Sequence, residues 1–215
     1  MPVNIALVVP TLNRADLLAR LLLATKGLPA FTVVVQNGEQ DVSEAKDRIV
    51  IRPGGNIGVA AAWNLGVGTS FASDPIGAVV VANDDVAFGV PTWTGFVEAL
   101  DAASPVLAVS RLGFCLFGFN ESAWDRVGPF DVGYGLAYYE DLDWLYRAKL
   151  AGVEVVAPAC LELVHEESAT RKADETLNAR LLAGREENEK RYRAKWGGSP
   201  QAERFVRPWD ERKPE

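Results

Sequence analysis

Three sets of residues in this sequence have the types and spacing to do chemistry. The first is Asn83-Asp84-Asp85, two adjacent carboxylates directly behind the apolar run Val79-Val80-Val81-Ala82. A strand buried on both faces excludes charge, so the acids stand at its exit, where paired carboxylates can hold a hard divalent cation through oxygen. The same residue types also make plain turns that cap the next segment, and that reading stays open. The second set is Glu140-Asp141-Leu142-Asp143 at the start of a helix. Acids in a first turn suit the helix macrodipole, and Asp143 with Arg147 has the spacing of an i,i+4 ion pair. Glu140 and Asp141 fit that account less well, because they join the loop 133–139, whose glycines and tyrosines suit a mobile binding wall. The third is His165, the only histidine. A lone histidine after a short apolar run is ordinarily structural or exposed, and becomes a ligand only where other ligands converge on it.

The elements that must position these groups alternate in type along the chain. Apolar runs at 3–9, 32–35, 48–52 and 76–82 read as buried strands of a parallel sheet, with Pro10 ending the first. Leucines at 17, 18, 21 and 22 give the segment 15–26 a helical face. Gln36-Asn37-Gly38-Glu39 has the composition of a turn. In Asn56-Ile57-Gly58-Val59-Ala60-Ala61-Ala62-Trp63-Asn64-Leu65-Gly66, small residues fill one side of an expected helix. Asn56 stands where an N-cap would, with Asn64 two turns on and nearly on the same face, so two amides could read a ligand's polar edge. The alternative is an alanine-rich helix packed tightly on the sheet. The glycines do not follow the dinucleotide-binding G-x-G-x-x-G spacing. Further on, 92–103 reads as a helix, 106–110 and 113–119 as strands, and Asn120 as the cap of a short helix through Val127. The helix that Glu140 opens carries Leu142, Leu145, Tyr146 and Leu150 on one face. Strands follow at 153–157 and 161–164, then a long charged helix at 174–196 and a tail expected to pack through Phe205 and Trp209.

Composition bounds the class of partner. With 215 residues, 48% of them hydrophobic, the chain can bury a core without disulfides, and Cys115 and Cys160 are expected as reduced thiols. A net charge of −7 argues against an extended nucleic-acid-binding face and favours a small anion held by specific groups. No basic-then-apolar leader and no apolar run near 20 residues is present, so a cytoplasmic location is expected, with peripheral membrane association through other subunits left open. No internal repeat or linker divides the chain.

The motifs, in order, carry a resemblance. Val8-Val9-Pro10-Thr11-Leu12-Asn13-Arg14, Val35-Gln36-Asn37-Gly38, Asn56-x-Gly58-x-Ala60-x-x-x-Asn64-x-Gly66, Asn83-Asp84-Asp85, Tyr139-Glu140-Asp141-Leu142-Asp143-Trp144-x-x-Arg147 and His165 together resemble family 2 glycosyltransferases of the GT-A fold, especially the rhamnosyltransferase-like members. The resemblance covers about residues 3–197. It implies an α/β fold: a single Rossmann-like GT-A domain at 1–198, with a mostly parallel central sheet flanked by helices, a C-terminal helix and an irregular tail at 199–215. Residues 1–110 would form the nucleotide-sugar half and 111–198 the acceptor and catalytic half.

The resemblance also implies roles. Pro10, Thr11, Asn13, Arg14, Asn37, Asn56, Gly58, Asn64, Asn83 and Asp84 would bind the donor, a UDP-, dTDP- or GDP-linked sugar. Asp85 and His165 would hold a divalent metal, with Mn2+ preferred to Mg2+ because one ligand is nitrogen. Asp141 would be the base that takes the acceptor hydroxyl's proton in an inverting transfer, with Glu140 beside it binding acceptor or orienting the loop. The acceptor could be a glycan, a lipid-linked sugar, a protein or a modified base. The family usually has an acid where Asn83 and Gln36 stand, which bears on base and sugar selectivity. Two other readings are a sugar-nucleotide pyrophosphorylase, disfavoured because the loop after the first strand is neither glycine-rich nor basic, and a non-catalytic module or subunit associating through the C-terminal helix.

Overall fold

The computed structural model describes residues 3–73, 75–166 and 174–210. β1 (Ile5–Thr11), α1 (Ala15–Ala24), β2 (Thr32–Gln36), β3 (Arg48–Ile51), α2 (Val59–Phe71) and β4 (Ala78–Ala82) make up the first half. A short β5 (Val86–Ala87), α3 (Val90–Leu100), β6 (Val106–Ser110), β7 (Gly113–Asn120), α4 (Glu121–Val127) and a 3-10 turn (Val132–Tyr134) follow. The chain continues through α5 (Glu140–Leu150), β8 (Glu154–Val156), β9 (Val164–His165) and α6 (Glu175–Trp196). Seven strands form one sheet in the order β3-β2-β1-β4-β7-β6-β8, and β5 pairs with β9 in a separate ribbon. β7 runs antiparallel to both neighbours, and the other pairings in the large sheet are parallel.

Strand alternation divides the core into two layers. Ile5, Leu7 and Val9 of β1 face the side covered by α1 and α3, while Ala6 and Val8 face the side where Trp63, Phe117, Phe130 and Trp144 pack. Both faces of β1 and β4 are therefore apolar, as their sequences require. Gly66 of α2 lies so close to β1 that an added Cβ would come within 2.4 Å of Val8 Cγ1. The small-residue side of α2 is thus a packing surface against the sheet.

Several boundaries differ from the sequence reading. β1 runs through Pro10 to Thr11: its pairing with β4 ends at Val8, and the Pro10 nitrogen points to that vacated side, so no ladder bond is lost. α3 starts two residues early because Pro91 occupies its first turn, where a missing N–H costs nothing. α5 buries Glu140, Asp143, Trp144 and Ala148 rather than a leucine face, and Leu150 is exposed. It is packed on two sides, with Leu145 toward the sheet core and Leu142 and Tyr146 toward a third cluster made by Tyr134, Tyr192 and Trp196.

That cluster holds a buried carboxylate. Asp143 accepts from Tyr134 Oη (3.2 Å), Trp196 Nε1 (2.8 Å) and Arg147 Nε (2.9 Å), and lies 2.6 Å from Lys195 Nζ. Lys195 and Arg191 also pair with Asp131. Asp143 therefore does more than make the expected i,i+4 pair: it ties α5 to α6, and its burial is compensated by several donors. The apolar face of α6 is used within its own domain, where Tyr192 and Trp196 are almost fully buried. The tail doubles back on α6, with Phe205 N and Arg204 N donating to Trp196 O and the Phe205 ring lying over Gly197. Trp209, by contrast, is half exposed beneath Arg191. Both cysteines are free, Cys115 buried and Cys160 partly so. Among the described residues no helix is long and apolar enough to cross a membrane.

Candidate functional site

Strand order reverses between β1 and β4, because the chain adds β2 and β3 on one side of β1 and then returns to the other. A crevice outside the carboxyl ends of the strands is expected at such a switch point. A cavity of about 310 Å3 lies there, lined by Pro10, Thr11, Asn37, Asn56, Asn83, Asp84, Asp85 and His165. Leu136, Ala137 and Tyr138 from the loop before α5, with Leu177 and Leu181 from α6, complete it.

The two acids have different surroundings. Thr11 Oγ1 donates to Asp84 Oδ2 at 2.7 Å across the gap between β1 and β4. Burial pushes the Asp84 carboxyl up to about 6, and the neighbouring Asp85 adds to this, against the Thr11 and Leu12 donors and the Arg14 charge. Asp85 meets the histidine. Pairing of β9 with β5 sets His165 opposite Val86, and His165 Nε2 lies 3.1 Å from Asp85 Oδ1, although the residues are 80 apart in sequence. Glu166 N donates to Asp85 O at 2.8 Å, which fixes the same junction through the backbone.

An oxygen and an imidazole nitrogen side by side on a cavity wall could both donate to a divalent cation. Among the described residues no group of three or more His, Cys, Asp or Glu could hold a metal. The donor set therefore fits a cation that arrives with ligand oxygens and water, not a closed structural site.

The other residues singled out from the sequence divide into three groups. Asn37 and Asn56 reach the cavity wall, but their side chains also organise the entry to α2. Asn37 Oδ1 accepts from Ile57 N at 2.9 Å, and Asn37 Nδ2 donates to Asn56 Oδ1 at 3.1 Å. Asn56 is not the helix cap: its Oδ1 accepts from Gly58 N, and Gly58 takes the cap position with φ +84. A Cβ there would lie 2.2 Å from Gly135 O, so Gly58 permits the contact by which Val59 N donates to Leu136 O. Gly58 acts on the site by letting the loop 135–138 dock.

Asn13 and Arg14 line an adjoining cavity with Asp174, Leu177 and Arg180. Arg14 is held in a bidentate pair with Asp16. Asn64 stands outside the main cavity. Its amide donates to Phe130 O and accepts from Phe130 N, so both of its polar ends are taken by one residue of the loop before the 3-10 turn.

Glu140 and Asp141 follow directly after the cavity wall. Neither lines the cavity, so of Asp85, Asp141 and His165 the structure brings the first and last together on its wall and leaves Asp141 off it. Tyr138 and Tyr139 both have left-handed backbone, φ +79 and +77, a costly conformation for aromatic residues. It is held from α6. Asn188 Nδ2 donates to Tyr134 O, Ala137 O and Tyr138 O at 2.7, 2.9 and 2.9 Å. Glu140 is almost fully buried, and its Oε2 has no hydrogen-bond partner. Burial, then the charge of Asp141, pushes its carboxyl up to about 8. Asp141 is also raised by burial, with Leu142 N donating to its Oδ1.

Sequence reasoning passed over Asn188 and Gln40. Asn188 lies within Glu186-Glu187-Asn188-Glu189-Lys190, and only a helical wheel placing it on the side of Tyr192 and Trp196 would have distinguished it.

No family model matches the sequence, and neither does any curated protein. Solved structures do. The crystal structure of GalNAc-T7 with UDP, GalNAc and Mn2+ matches with a TM-score of 0.62 and 12% identity, over 76% of this chain and 44% of that one. The mannosyltransferase PcManGT from Pyrobaculum calidifontis, in complex with GDP-Man and Mn2+, matches with a TM-score of 0.56 and 15% identity, over 80% of this chain and 62% of that one. The catalytic domain of Drosophila beta1,4galactosyltransferase 7, in complex with xylobiose, matches with a TM-score of 0.54 and 15% identity, over 76% and 70%. The chain thus spans less than half the length of the GalNAc-T7 chain it resembles. Likeness at this level of identity concerns architecture, and the switch-point cavity, the antiparallel β7 and the acids after β4 sit in an architecture shared with all three: the fold is that of the GT-A glycosyltransferases.

Proposed function

We propose that the chain is a metal-dependent glycosyltransferase that moves a sugar from a nucleoside-diphosphate sugar to an acceptor hydroxyl with inversion at the anomeric carbon. The observation that carries this reading is the pairing of Asp85 with His165 on the switch-point cavity. GalNAc-T7 with UDP and Mn2+, and PcManGT with GDP-Man and Mn2+, support a nucleotide and a cation as the ligands.

Asp85 and His165 would hold the cation, and Asp84 would meet the ribose or the sugar. A cation bound there supplies positive charge for the departing diphosphate, so no general acid is needed for the leaving group. Asp141 takes the acceptor's proton. Two carboxyls this close do not ionise together readily: burial raises both, and the charge of Asp141 raises Glu140 further, to about 8. A carboxylate is too weak to ionise a sugar hydroxyl beforehand, so proton transfer to Asp141 accompanies attack. The left-handed Tyr138-Tyr139 pair, pinned by Asn188, sets where that carboxylate stands.

The test is thermal denaturation with UDP, dTDP and GDP, each with Mn2+, with Mg2+ and with chelator. Ligand at a hundred times its Kd adds about 2.7 kcal/mol, or about 5–10 °C in a domain of this size. One nucleotide should give that shift only when metal is present. Equal shifts with and without metal, or none with any nucleotide, would sink the proposal.

A further inference from the structure

Gln40 is joined to the acid pair through a chain of hydrogen bonds whose directions are fixed. Asn13 N donates to Gln40 Oε1 at 2.7 Å. A backbone N–H can only donate, so the amide oxygen of Gln40 must be at that end, and its NH2 must face the other way. Gln40 Nε2 accordingly donates to Thr11 Oγ1 at 2.9 Å. A hydroxyl that accepts there has its single proton free to donate elsewhere, and Thr11 Oγ1 spends it on Asp84 Oδ2 at 2.7 Å. The direction of every bond from Asn13 to Asp84 thus follows from one main-chain N–H.

We propose that Gln40 is a positioning residue of the donor site: it fixes Thr11 as a donor and so holds the Asp84 carboxylate in the orientation from which it meets the nucleotide. The proposal rests on the reading of the cavity as a nucleotide-sugar site. Gln40 does not line that cavity and acts only through Thr11. The same side chain cross-links the exits of β1 and β2, and Glu39 N reinforces the link by donating to Asn13 Oδ1 at 2.8 Å.

The isosteric change Gln40→Glu tests direction apart from shape. A carboxylate can still accept from Asn13 N, but it also accepts from Thr11, whose proton then turns away from Asp84. Gln40→Ala loses both of Gln40's bonds yet leaves Thr11 able to donate to Asp84. If Gln40 were only a loop cross-link, Ala would be the more damaging change. If it sets the direction of the Thr11 proton, Glu is.

The experiment is calorimetric titration of UDP, dTDP and GDP, with Mn2+, into the wild-type full chain and into chains carrying Gln40→Glu, Gln40→Ala, Thr11→Val, Thr11→Ser and the Gln40→Glu/Thr11→Val double change. Melting temperatures serve as the control for folding. Loss of a hydrogen bond to a charged group predicts about tenfold weaker nucleotide binding for Gln40→Glu and Thr11→Val, a smaller loss for Gln40→Ala, and near wild-type affinity for Thr11→Ser. In the Thr11→Val background Gln40→Glu should cost nothing more, whereas a simple effect of added negative charge would persist. A Gln40→Glu chain that binds like wild type, a Gln40→Ala chain that binds worse than Gln40→Glu, or losses that add in the double variant would each overturn the proposal while leaving the transferase reading intact. A wild-type chain that binds none of the three nucleotides would overturn both.

Discussion

Asn188→Leu separates the machinery that positions the proposed base from the part that holds the nucleotide. Leucine matches asparagine in branching and heavy-atom count but brings no donor, so Tyr134 O, Ala137 O and Tyr138 O lose the amide they share. An amide has two protons for these three acceptors, and each buried carbonyl left unpaired costs about 1–3 kcal/mol, so a loss of about 2–4 kcal/mol is expected before relaxation. The loop also stores strain, because Tyr138 and Tyr139 are both left-handed, at about 1–2 kcal/mol per residue. Once the clamp is gone the loop can release part of this, which trims the net loss to about 2–3 kcal/mol and shifts the start of α5. That loss lies inside a typical stability of about 5–15 kcal/mol, so the variant should fold. Displacing Asp141 by about 1 Å is enough to cost about a hundredfold in turnover. Urea denaturation gives the stability change, and calorimetry with steady-state turnover gives the split between nucleotide affinity and kcat. Affinity should fall somewhat, because Ala137 and Tyr138 line the cavity, and turnover should fall further, since Asp84, Asp85 and His165 are held by contacts that Asn188 does not touch. A stability change below about 1 kcal/mol, or affinity and turnover falling in step, would refute the reasoning.

Three further outcomes are expected. Asp141→Asn should abolish sugar transfer while keeping the metal-dependent thermal shift with nucleotide, and normal turnover would remove Asp141 as the base. Gly58→Ala should destabilise by more than about 1 kcal/mol in urea denaturation, since φ is +84 and the new Cβ would sit 2.2 Å from Gly135 O; wild-type stability would show that the loop docks otherwise. The Glu140 carboxyl is raised from 4.5 to about 8, so between those values the folded chain keeps a proton that the unfolded chain has lost, and stability falls as pH rises across that window. Asp84 acts in the same direction only from 3.8 to about 6, so its contribution does not extend over the interval from pH 6 to 8. Glu140→Gln should flatten the stability profile there and make the chain more stable than wild type at pH 8; an unchanged slope would show that Glu140 ionises normally.

The carboxyl-end location of Asp84 and Asp85 was legible because Ala78–Ala82 is apolar without interruption, and a run that buries both faces leaves charge nowhere to go but the end. Asn120 as a cap, Asp174 at the start of α6 and the Asp143–Arg147 pair were legible for the same kind of reason, since each depends on partners within four residues. Asn64 shows the limit. Its spacing from Asn56 suggested two amides facing a ligand, yet its partner is the backbone of Phe130, 66 residues away, and no local pattern reports that loop's path. Asp143 was read only as an i,i+4 partner of Arg147 because that residue is local, while Trp196 and Lys195, which also bind it, are not.

By itself the sequence determined the alternation of strands and helices, the two-sided burial of β1 and β4 and the strand exit at which the acids stand, all of which follow from periodicity and short-range chemistry. Tertiary structure decided what those acids face. The β5–β9 ribbon carries His165 to Asp85, the open turn at Gly58 admits the loop 135–138, and the Asn188 amide holds that loop in a conformation its own residues disfavour. Each of these contacts closes a loop of about fifty residues or more, and such closures depend on the packing of whole layers, not on the residues at either end.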